Sequence, residues 1–150
     1  MNADERMRGR RAGRVSGCSG RATAGTQAPP DQLDPAALSR LACELESEDL
    51  ARSIAGTYLR MLETRLARAS SALARRDEAA AMDVLLSLRV SSATVGLVVL
   101  EAAVLHVIDA VRRGELDLAR ERGSSLLGLA DGARCALRSH LERPVLSALA

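Results

Sequence analysis

The chain has few side chains of the kinds that do covalent or acid–base chemistry. There are two histidines, His106 and His140, and three cysteines, Cys18, Cys43 and Cys135. Zinc sites draw their Cys and His ligands from short, characteristic spacings. These five residues are scattered without such a spacing, so no metal is expected, and no other cofactor. An odd cysteine count with no apolar leader-like run at the start points to free thiols in a reducing, cytoplasmic setting. No glycine-rich phosphate loop, nucleophile elbow or recognisable carboxylate pair occurs. The acidic residues are expected on solvated helix faces.

The informative segment is Leu85-Leu86-Ser87-Leu88-Arg89-Val90-Ser91-Ser92-Ala93-Thr94-Val95-Gly96. It resembles the signature of the histidine-containing phosphotransfer (HPt) family, which reads His-x-Leu-Lys-Gly-Ser-Ser with a glycine one turn further on. Leu88, Ser91, Ser92 and Gly96 match by type and spacing, and Arg89 keeps the positive charge of the family's Lys. Leu33-Asp34-Pro35, a long second helix, Asp77 ahead of the motif helix and Arg113-Gly114-Glu115-Leu116 before the last helix agree with the family's layout. The resemblance covers residues 33–143.

Two departures decide what the resemblance implies. Leu86 stands where the family has its phosphorylated His, and Val90 stands where it has a small Gly. Phosphoryl transfer between His and Asp needs an exposed imidazole nitrogen, with a nearby cation to offset phosphate charge. Leu86 has no nucleophile. Shifting the alignment does not supply one, because residues 78–105 contain no His.

The resemblance therefore implies a non-catalytic phosphotransfer-like module. It would bind a response-regulator receiver domain or a histidine kinase as an adaptor or sequestering partner, and it would not be an enzyme. Met82, Leu86 and Val90 fall four residues apart on one helical face, beside the predicted core stripe. They are expected to form an exposed apolar strip which, with Arg89 and Ala93, makes the partner-binding surface. Drift at an abandoned site, or a face covered by the N-terminal tail or by a second copy of the chain, are the alternative readings. A relocated phosphoacceptor is a further alternative. His106 falls about 200° round the fourth helix from Val104, on its more polar side, where a plain surface histidine is the simpler expectation.

The elements that position this segment follow from composition and pattern. The chain of 150 residues is 47% hydrophobic, with one Tyr and no Phe or Trp. Its core must come from Leu, Val, Ala, Ile and Met, most of which favour helices. Residues 1–30 carry Arg6, Arg8, Arg10, Arg11, Arg14 and Arg21 against Asp4 and Glu5, and residues 1–32 have little apolar content. This Arg/Gly/Ser/Pro-rich stretch is predicted to be a disordered tail. Its composition resembles a transit peptide, and contact with a polyanion or membrane surface through it is an alternative function. A solvated tail, or a start at Met7, is the plainer reading. Every basic residue is Arg, which points to a GC-rich coding bias and not to specific nucleic-acid binding. The longest uncharged run, Val90 to Leu100, is too short to cross a bilayer.

Residues 33–150 are predicted to form an all-α, antiparallel up-down-up-down four-helix bundle with a short extra N-terminal helix. Asp34 caps that short helix ahead of Pro35. Ser47 caps the next, with Leu50, Ile54, Tyr58, Met61, Leu62, Leu66, Ala69 and Leu73 as its apolar stripe. Asp77 opens the motif helix, whose core face is Ala81, Val84, Leu85, Leu88, Ser92 and Val95. Gly96 ends it. Leu97, Leu100, Val104, Val107, Ile108 and Val111 make the fourth stripe, closed by Arg112-Arg113-Gly114. Leu118, Leu126, Leu129, Ala133, Leu137 and Leu141 mark the last helix, with Gly123, Gly128 and Gly132 inside it and Pro144 near its end. The apolar strip and the weak, glycine-containing last helix leave homodimerisation open.

Overall fold

The computed structural model describes residues 32–143. They form five α-helices, with no strand among the described residues: α1 (Pro35–Leu45), α2 (Glu48–Ala74), α3 (Glu78–Thr94), α4 (Val98–Arg112) and α5 (Leu116–Glu142). The tail expected over residues 1–32 lies, apart from Gln32, outside the described residues, as does Pro144. No helix among the described residues is long and apolar enough to cross a membrane.

Local chemistry sets three of the five helix starts. Asp34 accepts the Ala36 N–H at 3.0 Å, Ser47 accepts the Leu50 N–H at 3.0 Å, and Asp77 accepts the Ala80 N–H at 3.0 Å. Each satisfies one of the donors that a helix N-terminus leaves without an internal partner. The turns before α4 and α5 use glycine instead. Gly96 has φ of 86° and Gly114 has φ of 77°, a region L-residues avoid.

Gly96 also meets a packing demand. A Cβ there would lie 2.5 Å from the Asp34 carbonyl oxygen and 2.8 Å from the Ala37 Cβ. The Gly96 carbonyl accepts the Asp34 N–H at 2.8 Å. The glycine that closes α3 is thus the seat for the start of α1.

The helices pack in sequence neighbours and close the set: α2 on α3, α3 on α4, α4 on α5 and α5 back on α2, with α1 laid against α2 and α3. The core is aliphatic. Leu62, Leu73, Leu85, Leu88, Leu97, Leu100, Ile108, Leu126 and Leu137 are its largest fully buried side chains, together with Val95, Val104 and Val107. The α4 stripe lies in the core as the spacing requires.

Most of the expected α2 stripe lies in the core (Tyr58, Leu62, Leu66, Ala69 and Leu73), but three of its members do not. Leu50, Ile54 and Met61 are exposed, and the buried row is Ala51, Ala55, Tyr58, Leu62, Leu66, Ala69 and Leu73. That row keeps the 3.6-residue period without drift. In its first two turns the inward positions are taken by Ala51 and Ala55, while Leu50 and Ile54 are turned outward. On α5, Ala119, Gly123 and Ala130 are buried beside Leu126, Ala133 and Leu137, while Leu118, Leu129 and Leu141 are half-buried at the core edge. Gly123 has a packing reason, since a Cβ would come within 2.9 Å of Leu73 Cδ1. Cys43 is an exposed free thiol, but Cys135 is not free. This corrects the expectation of unpaired cysteines: an odd count fixes at least one free thiol, not three.

Candidate functional site

The motif helix α3 divides its residues sharply between core and surface. Leu85, Leu88 and Ser92 are fully buried, and Val95 follows at the helix end. Leu86 is 37% and Val90 64% exposed, and Ala93 is exposed. Arg89 is half-buried and has no hydrogen bond or ion pair among the described residues. Met82 departs from the expected strip. It is half-buried and packs against the core cluster, because its position lies about 40° nearer the core face than Leu86. The exposed apolar pair on α3 is therefore Leu86 and Val90.

The two serines of the motif have different tasks. Ser92 is the one fully buried polar residue among the described residues, and its Oγ shares a 2.8 Å hydrogen bond with Tyr58 Oη. Tyr58 is the chain's one aromatic residue. Burial pushes its pKa up to about 12, against the lowering effects of the Ser92 bond and Arg65. Ser91 Oγ donates back to the Ser87 carbonyl at 2.9 Å and accepts from Arg65 Nη1 at 3.3 Å. Thr94 Oγ1 likewise donates to the Val90 carbonyl at 2.9 Å. Such back-bonds tie hydroxyls to their own helix. The site accordingly offers apolar contact and cations, with no imidazole on α3.

Helix α2 adds Met61, which sequence reasoning placed in the core, and Arg65, which it did not single out. Arg65 spans from Ser91 to Met61, with its Nη2 3.7 Å from the Met61 Sδ. Met61, 41% exposed, thus flanks the same α2–α3 surface. It was read as a core residue, and the unbroken row Ala51, Ala55, Tyr58, Leu62 and Leu66 is the signal that places it outside. Arg65 and Arg89 lie on opposite sides of the Leu86–Val90 pair round α3, since Ser91 and Arg89 are about 160° apart.

The histidines lie away from this surface. His106 is exposed on α4, between helical neighbours that face the core, and its backbone carbonyl accepts from Arg122 at 3.4 Å. His140 is half-buried near the end of α5. Desolvation holds its pKa below the ordinary value, reinforced by Arg143 and Arg52 and opposed by Glu48. Among the described residues, no three His, Cys, Asp or Glu side chains gather in a metal-holding group.

No protein-family model matches the chain, and no curated protein matches it. Its fold is similar to the crystal structure of histidine-containing phosphotransfer protein B from Pseudomonas aeruginosa. The TM-score is 0.68 at 23% sequence identity, over 77% of this chain and 99% of the other. The fold is HPt-like. At that identity the likeness concerns the fold, and the residues of the site must carry the argument about function.

Proposed function

We propose that this chain is a non-catalytic HPt-like module of a two-component phosphorelay. It binds a response-regulator receiver domain or a histidine kinase, acting in the cytoplasm as an adaptor or as a sequestering partner. On this reading, α2 to α5 alternate in direction as an antiparallel up-down-up-down bundle that presents α3 to the partner. The observation that carries the reading is the pairing of an intact frame with a missing nucleophile. Leu88, Ser92 and Gly96 are buried and engaged, while Leu86 and Val90 stand exposed where the family has its His and Gly.

Exposed leucine and valine cannot accept a phosphoryl group. They can exclude water from a partner's surface, and uncovering them in solution has a cost that docking removes. The partner surface comprises Leu86, Val90 and Ala93 with Arg89 and Met82 at its edge, extended by Met61 and Arg65 from α2.

The test is incubation with receiver domains charged by acetyl phosphate. The expected result is complex formation without acid-labile phosphate on this chain. Labelled phosphate on the chain would overturn the non-catalytic claim, and its loss on His106→Gln would assign the transfer to His106. Binding to polyanions through residues 1–30 is the rival from another class. It predicts an affinity that falls steeply with salt and is lost on deleting those residues.

A further inference from the structure

We draw no further inference here: the strongest candidate, the cleft between α2 and α5 lined by Leu62, Leu66, Leu127 and Ala130, carries nothing, because nothing in the structure shows what covers it.

Discussion

Tyr58 Oη and Ser92 Oγ lie 2.8 Å apart inside the bundle, joining α2 to the helix that carries the motif. The core cluster they sit in is otherwise aliphatic among the described residues. A buried hydroxyl without a partner costs about 1–3 kcal/mol, so each of these two groups makes the other tolerable. The second serine of the motif is thus a structural element of the core, and its neighbour Ser91 is the one near the surface. The bond also fixes the rotation of α3, because Ser92 inward places Leu86 and Val90 outward.

Removing one partner should hurt more than removing both. Tyr58→Phe leaves Ser92 Oγ orphaned and should cost about 1–3 kcal/mol, read from urea unfolding. Adding Ser92→Ala to it should recover part of that loss. The wild-type chain should also lose stability as pH rises from about 10 to about 12. The folded pKa of Tyr58 stands at about 12, above the ordinary value near 10, so over that window the unfolded chain releases a proton that the folded chain keeps. Tyr58→Phe should remove that part of the slope. An unchanged alkaline slope in the variant would show that Tyr58 is not its source.

The two positive-φ glycines should separate strain from contact. Gly114→Ala meets open space, so it carries the backbone term alone, about 1 kcal/mol. Gly96→Ala carries that term and drives a methyl against the Asp34 carbonyl and Ala37, for a total of about 3 kcal/mol. Because the contact is to α1, amide exchange in Pro35–Leu45 should rise in Gly96→Ala and stay unchanged in Gly114→Ala. Equal losses in the two variants would remove the role given to Gly96 in seating α1.

The parts of the fold written in local chemistry were legible in the sequence. Asp34, Ser47 and Asp77 announce helix starts because a short side-chain acceptor is needed within three residues of the orphan N–H groups. Gly96 and Gly114 announce turns because of their backbone freedom. On α2 the row from Tyr58 to Leu73 was legible too, but its first turns were not. Leu50 and Ile54 read as apolar stripe members more readily than Ala51 and Ala55, although the alanines keep the phase of the buried row. The exposure of Leu86 and Val90 was readable on α3, where they stand out against the family pattern. Met61 was misplaced because it adjoins Leu62 in the apolar run, and Arg65 carried no signal of its own.

His140 gives a prediction on the acid side. Its pKa is held down by burial, then by Arg143 and Arg52, so the folded chain resists a proton that the unfolded chain accepts. The stabilising contribution is present above the ordinary His value near 6.5 and is lost as pH falls below it. His140 stands beside the place where Arg52 donates to the Leu141 carbonyl, so loosening should begin at the end of α5. Stability measured from pH 7 to pH 5 should fall less steeply in His140→Gln, and exchange of the last-turn amides of α5 should report the change first. A parallel decline in the two proteins would exclude His140.

The reading of α3 as a phosphotransfer frame without its nucleophile has a constructive test. Leu86→His places an imidazole at an exposed position whose neighbours keep their positions. Val90, 64% exposed and one turn along, still projects beside it. The single variant should therefore bind partners but accept phosphate slowly. Leu86→His with Val90→Gly should accept it readily, with Arg89 as the local cation. The added glycine should cost about 0.5 kcal/mol of helix stability, small enough to leave the fold in place. The measurement is acid-labile, base-stable phosphate on the double variant after exposure to a charged receiver domain that binds the parent chain. If such a receiver binds the double variant and no phosphohistidine forms, position 86 does not face the partner's aspartyl phosphate, and the proposed docking geometry is wrong.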